Sequence, residues 1–208
     1  MRGRAVPAAI IALLGALGAR SVSATTVAIH AHSTAGTAAS DLLVMLDPLD
    51  ATPPPSHDHA VIDQVHKQFV PKVSIVRTGT AVTLPNSDQI RHQVYSFSPA
   101  KTFNLKLYAR APPIDVVFDK PGLVVLGCDI HDTMVAFVGV VDTPYFGKVP
   151  ASGELSLEVP PGHYRLRLWH PALVAASAPS DLIVGAAPIS LALTLTLDEN
   201  AERIAPWP

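Results

Sequence analysis

The sequence has 208 residues, 49% of them hydrophobic, which is enough for one large domain or two small ones with separate cores. Only 15% of the residues are charged, and the formal net charge is −2. The chain has no basic stripe, which argues against nucleic acid as a partner. A total of 20 prolines separate short runs rich in valine and leucine, a pattern that favours an all-β protein over a helical one.

The N-terminal residues are typical of a secretory signal peptide. Arg2 and Arg4 form a basic start, 5–19 is an apolar run, and 22–24 fits the small-x-small cleavage pattern. A membrane anchor is the alternative, but the run is short for a span and is interrupted by proline and glycine. We interpret residues 1–24 as a cleaved signal, which predicts a periplasmic or otherwise exported protein without a membrane span. Its removal takes away three arginines and changes the net charge from −2 to −5.

Strand patterns with intervening turn signals fill most of the first two thirds of the mature chain. Residues 25–50 contain an alternating strand and an apolar strand, and the proline-rich residues 51–60 are predicted to be a linker. Residues 61–143 contain six further short strands, whose spacing suggests a sandwich or barrel. The strands predicted up to this point are 27–32, 41–46, 72–76, 81–84, 93–97, 116–118, 122–126 and 135–141.

Residues 144–198 have a different character. Two cleanly alternating patterns, typical of half-buried strands, are followed by two more strand-like runs. Residues 199–208 are predicted to form a C-terminal tail. The strands predicted in this part are 154–159, 163–169, 181–184 and 189–197.

The segment from Cys128 to Met134 holds the only cysteine, with two residues between Cys128 and His131 and two between His131 and Met134. A thiolate, an imidazole and a thioether on one short loop can converge on one metal ion, and soft sulfur ligands select copper. Two histidines and a cysteine with a weak axial methionine form the blue-copper arrangement, and His92 is the candidate for the second histidine. A buried, inert cysteine is the alternative, but it leaves the spacing unexplained.

Copper held in this way moves one electron between Cu(I) and Cu(II). The sequence indicates no open coordination position and no general acid–base pair, so we expect an electron carrier and not an enzyme. Asn86 is expected to brace the loop that holds His92. His57 and His59 are weaker candidates for a second metal site, since a solvated linker explains them as well, and Gln64 is a minor candidate for a weak oxygen ligand.

Residues 69–142 resemble plastocyanin-like cupredoxins. The ligand-loop spacing is similar to that of amicyanin and of periplasmic proteins named methylamine utilization proteins. The motifs are specific only in combination. They are 69–71, 75–76, 78–83, 86–88 with His92, 118–122 and the Cys128 loop. The resemblance implies a Greek-key β-sandwich with one type 1 copper ion bound by His92, Cys128, His131 and Met134.

The loop departs from amicyanin in carrying two carboxylates, Asp129 and Asp132. Negative charge close to the metal favours Cu(II), so we expect a lowered reduction potential. An amicyanin-like partner is not implied.

The two flanks of this region carry a weaker resemblance to carboxypeptidase regulatory-like β-sandwiches. The hypothesis is a discontinuous second sandwich built from 25–50 and 144–198, with the cupredoxin of 61–143 inserted in one of its loops, where insertions are tolerated. The alternative is that the flanks add strands to one larger sandwich.

These observations predict an exported copper protein that carries single electrons between redox protein partners as a monomer. A copper chaperone or storage protein with the same ligands and no electron-transfer role is the alternative. A binding module with a vestigial site is less favoured, because all four ligand types are present.

Overall fold

The computed structural model describes residues 24–54, 56–110, 114–198, 200 and 204–208, and the protein is all-β. The predicted signal segment lies outside these residues except for Ala24. Within the described ranges there is no helix long and apolar enough to cross a bilayer. The first nine strands are β1 (Thr25–Ser33), β2 (Leu43–Pro48), β3 (His59–Val61), β4 (Asp63–Val65), β5 (Gln68–Val70), β6 (Val73–Arg77), β7 (Thr80–Thr83), β8 (His92–Ser98) and β9 (Lys101–Tyr108). The remaining strands are β10 (Val116–Phe118), β11 (Gly122–Gly127), β12 (Val135–Val141), β13 (Tyr145–Lys148), β14 (Glu154–Val159), β15 (Gly162–Trp169), β16 (Ser180–Val184) and β17 (Ile189–Leu195).

The middle of the chain forms a five-stranded sheet in the order β6-β12-β11-β8-β9 and a three-stranded sheet in the order β10-β7-β3. Strand β12 pairs parallel with β6 and antiparallel with β11. Apolar side chains of both sheets share one core, which includes Val82, Phe118, Val94 and Leu126. Cys128 and Met134 belong to the same core. The short hairpin β4–β5 stands beside these sheets.

The flanking strands form two sheets of their own, ordered β14-β1-β17 and β13-β2-β15-β16. In the described part of the chain, every strand ladder of these seven strands joins one flanking strand to another. Strand β1 pairs antiparallel with β14 and parallel with β17, so residues from the two ends of the chain lie side by side. The domain boundaries themselves stay a prediction.

Strand β12 is buried on both faces. Its residues Ala136, Val138 and Val140 belong to the core of the central sheets, whereas Phe137 and Val141 pack in a second core with the flanking strands. A strand covered on both faces needs apolar residues at successive positions, which accounts for the unbroken Val135–Val141 run.

The last residues pack against this second core. Ala205 is buried, and its carbonyl oxygen accepts a hydrogen bond of 3.0 Å from Nε1 of Trp169. The rings of Trp169 and Trp207 lie 5.9 Å apart, and Trp207 covers Gly139 so closely that a Cβ there would lie 2.6 Å from the indole. The C-terminal part of the predicted tail is therefore a packed segment at its described positions.

Candidate metal centre

The ends of three strands bring the predicted ligands together. Cys128 directly follows β11 and Met134 directly precedes β12, while His92 is the first residue of β8. Strands β8 and β11 are neighbours, paired at Tyr95 and Gly127. The loop between β11 and β12 is tightened by a hydrogen bond of 2.9 Å from the amide of Met134 to the carbonyl of His131. Rigid strands therefore fix both ends of the loop.

Three of the four predicted ligand residues place their donor atoms close together. One ligand atom each of His92, Cys128 and His131 lies within 4.8 Å of the others. Nδ1 of His92 is 3.8 Å from Sγ of Cys128, and the two imidazole rings are 5.0 Å apart. His92 is fully buried and Cys128 is 3% exposed, whereas His131 is partly exposed. The cluster is thus a buried sulfur with two imidazoles beside it, of which only that of His131 is partly exposed.

Met134 is the remaining predicted ligand. Its side chain is 1% exposed and lies in the same apolar core as Cys128. Its position directly before β12 puts a thioether on the segment that also carries Cys128 and His131. Met134 as a metal ligand stays a prediction.

The residues present fit a metal ion, and two observations support this. Nδ1 of His131 is buried and has no hydrogen-bond partner among the described residues, and an unpaired buried nitrogen is costly unless something else binds it. Cys128 is a free thiol, buried among apolar residues. A donor set of one soft sulfur and two imidazoles suits copper, and a coordinating thiol is held as the thiolate.

Asp88 contacts the outer nitrogen of His92, a relationship that the sequence analysis did not identify. Oδ2 of Asp88 lies 2.8 Å from Nε2 of His92. The backbone amides of His66 and Lys67 donate to the same carboxylate at 2.6 and 2.8 Å. Burial raises the pKa of Asp88, but the hydrogen bonds from Lys67, His92 and His66 outweigh burial and hold this pKa below its ordinary value. The carboxylate is therefore ionised at neutral pH.

Asn86 braces the loop that precedes His92. Its Nδ2 donates to the carbonyls of Ile90 at 2.9 Å and Tyr108 at 3.0 Å. Its Oδ1 accepts a hydrogen bond of 3.0 Å from the amide of Asp88. One buried side chain therefore satisfies three backbone groups of two segments, which fixes the position from which Asp88 reaches His92.

Gln64 is fully buried behind this loop. Its Nε2 donates to the carbonyl of Pro85 at 2.8 Å and to the hydroxyl of Tyr108 at 2.6 Å, while its Oε1 has no partner among the described residues. The hydroxyl of Tyr108 in turn donates to the carbonyl of Leu84. Burial raises the pKa of Tyr108 to about 12; the hydrogen bond from Gln64 lowers it, and the negative charge of Asp63 raises it further.

The other histidine candidates lie elsewhere. His59 is half exposed, with Nε2 2.7 Å from the hydroxyl of Thr83 and 3.4 Å from a carboxylate oxygen of Asp115. His57 is exposed. Neither histidine is part of the group of metal-capable side chains found in the described residues.

No family model and no curated protein matches the sequence. Among solved structures, the chain is similar to a purple cupredoxin from Nitrosopumilus maritimus, with 24% identity over 39% of this chain and 98% of that one, and a TM-score of 0.35. A reduced Cu(I) form of an amicyanin variant gives 17% identity, 47% and 97% coverage, and a TM-score of 0.37. A copper-containing nitrite reductase from Thermus scotoductus SA-01 gives 22% identity and a TM-score of 0.39, over 55% of this chain and 28% of that one.

Proposed function

We propose that this chain binds one copper ion through His92, Cys128, His131 and Met134 and carries single electrons between protein partners. The observation that carries this proposal is the convergence of two imidazoles and a buried thiol within 4.8 Å. The buried thioether of Met134 on the same loop completes the donor types of a blue-copper site.

The copper ion, when bound, supplies a one-electron couple between Cu(I) and Cu(II). Three of the four proposed donors, His92, Cys128 and Met134, stand at or next to strand ends, so the sheet holds their positions. His131 lies on the short loop whose two ends β11 and β12 fix. Burial of His92, Cys128 and Met134 keeps water away from three of the four donors. The partly exposed His131 is the donor closest to solvent, and we infer that electrons enter and leave on its side.

We also propose where the protein works and how its domains are arranged. Residues 1–24 act as an export signal, and the mature protein works as a monomer in the periplasm or outside the cell. The proposed domain structure is a cupredoxin at 61–143, inserted in a second sandwich of 25–50 and 144–198.

The test is a titration of the purified, metal-free protein with Cu(II). We expect one equivalent to produce an intense sulfur-to-copper charge-transfer band, which disappears on reduction and returns on reoxidation. Cys128→Ser removes the sulfur donor and should abolish the band. His59→Ala removes a histidine outside the cluster and should leave the band as in the wild type.

Two results would count against electron transfer. A colourless protein that binds only Cu(I) favours the chaperone or storage function with the same ligands. A protein that binds neither oxidation state with one-to-one stoichiometry contradicts the copper site altogether.

A further inference from the structure

We propose that Asp88 positions His92: it fixes the tautomer of the His92 ring and lowers the reduction potential of the site. The part concerning the potential rests on the proposed function. The contact itself is a property of the metal-free chain and is tested separately.

The hydrogen bond between the two side chains determines which ring nitrogen carries the proton. Both oxygens of Asp88 accept hydrogen bonds from backbone amides, Oδ1 from His66 and Oδ2 from Lys67, so the carboxylate is also the acceptor, and Nε2 of His92 the donor, across the 2.8 Å contact. A ring whose single proton is on Nε2 has its lone pair on Nδ1, the nitrogen 3.8 Å from Sγ of Cys128. The contact is shielded from water, since His92 is fully buried and the Asp88 side chain is 12% exposed. Asp88 therefore directs the free nitrogen of His92 into the proposed metal site.

The carboxylate is itself held from several directions. Oδ1 accepts from the amide of His66, and Oδ2 accepts from the amide of Lys67 as well as from His92. His66 and Lys67 form the two-residue turn of the β4–β5 hairpin, with φ values of 53° and 59°. Neither residue is the glycine or asparagine that such a turn favours, so the hydrogen bonds that their amides donate to Asp88 stabilise an otherwise unfavourable backbone. Asp88 therefore binds both the β4–β5 turn and His92. Its side chain cannot rotate away from His92 without also breaking its hydrogen bonds to the turn.

The charge of Asp88 has a direct effect on a bound ion. A carboxylate on the far nitrogen of a coordinating imidazole makes the ring a stronger donor, and outer partners of this kind change metal affinity by about 10- to 100-fold. A stronger donor and a nearby negative charge favour the ion of higher charge. Asp88 should therefore stabilise Cu(II) more than Cu(I).

The first measurement is nitrogen NMR of the histidine rings in the metal-free protein at one fixed pH. We expect the wild type to show His92 with its proton on Nε2, slow to exchange with solvent. Asp88→Ala removes the acceptor and should give a mixture of tautomers. A wild-type His92 protonated on Nδ1 alone, or a tautomer unchanged in Asp88→Ala, would overturn the positioning role without bearing on copper binding.

The second measurement is the reduction potential of the copper-loaded Asp88→Asn variant, which keeps the shape and loses the charge. We expect the ratio of Cu(II) to Cu(I) affinity to fall about tenfold, which raises a one-electron potential by about 59 mV.

Asp63→Asn is the matched control. Asp63 braces the same loop by accepting hydrogen bonds from the amide and hydroxyl of Ser87, at 3.2 and 2.7 Å, and among the described residues its carboxylate bonds to Ser87 and the amide of Gln64 and not to His92. If Asp63→Asn raises the reduction potential as much as Asp88→Asn does, the geometry of the loop sets the potential, and not the hydrogen bond between the Asp88 carboxylate and the His92 ring. A wild-type protein without a charge-transfer band would instead contradict the proposed function.

Discussion

The ring of Tyr95 lies directly over the backbone of Gly127, the residue that precedes Cys128. A Cβ at position 127 would lie 2.7 Å from Cζ of Tyr95 and 2.8 Å from its hydroxyl oxygen. The two residues are paired across β8 and β11, so the glycine leaves room for an aromatic ring on the outer face of the sheet. The strand that delivers the thiol is therefore covered by a side chain of the strand that delivers His92.

Gly127→Ala should destabilise the protein by about 1–3 kcal/mol, because the added methyl group forces either the ring or β11 to move. Urea unfolding of the metal-free protein measures this change. Gly185→Ala is the matched control, since no atom lies within 4 Å of the position its Cβ would take. Equal midpoints for the two variants would contradict the close approach of Tyr95.

Trp207→Ala should lower the free energy of unfolding by about 1–3 kcal/mol, because the indole packs on Trp169 and covers Gly139. The expected change comes from losing the apolar surface that the indole buries against the second core, which contains Phe137, Val141 and residues of the flanking strands. Thermal or urea unfolding provides the measurement. Ile183→Ala removes a large side chain that is 71% exposed and should change stability by no more than about 0.5 kcal/mol. If Trp207→Ala behaves like this control, the C-terminal residues do not contribute to the core.

Tyr108→Phe should change the alkaline end of the stability profile. Burial raises the pKa of Tyr108 from 10.0 to about 12, so the unfolded chain loses this proton before the folded one. The stabilising contribution is therefore complete below pH 10 and is lost as the pH rises from 10 to about 12.

Free energies of unfolding at several pH values test this expectation. The free energy of unfolding of Tyr108→Phe should fall less steeply than that of the wild type between pH 10 and 12. If the free energies of unfolding of the wild type and Tyr108→Phe change in parallel with pH, the raised pKa of Tyr108 is contradicted.

Met134→Gln should keep the sulfur-to-copper charge-transfer band and change its energy, because the thiolate remains while a harder oxygen donor replaces the thioether. We also expect a lower reduction potential, since oxygen donors favour Cu(II) over Cu(I). Absorption spectroscopy and voltammetry of the copper-loaded variant measure the two effects. An unchanged spectrum and potential would show that the Met134 sulfur does not touch the metal.

Much of the strand pattern could be read from the sequence, and the misses have physical reasons. Strands β10, β12 and β14 begin and end at the predicted residues, because their apolar or alternating patterns are bounded by clear turn signals. Strand β9 was not predicted, since it is an edge strand with polar residues on both faces. Strands β3, β4 and β5 have three residues each, too few to show a period. The prediction of a linker up to residue 60 therefore missed the start of β3.

The close approach of His92, Cys128 and His131 could be predicted because these residue types and their spacing suit metal coordination, whereas Met134 as a donor stays a prediction. The contact between Asp88 and His92 could not, because it depends on a loop conformation set by Asn86 and by the β4–β5 turn. In the sequence, the one indication of this contact is a carboxylate four residues before a candidate ligand. The packing of Trp207 on Gly139 was equally hidden, since it joins distant parts of the chain.

X-ray absorption at the copper edge tests the central claim most directly, because it identifies the atoms around a bound ion. The wild type should hold one copper per chain with a sulfur at short distance and two imidazole nitrogens. His92→Ala should lose one nitrogen, whereas His59→Ala should match the wild type. Copper surrounded only by nitrogen and oxygen in the wild type, or a spectrum that Cys128→Ser leaves unchanged, would contradict the account.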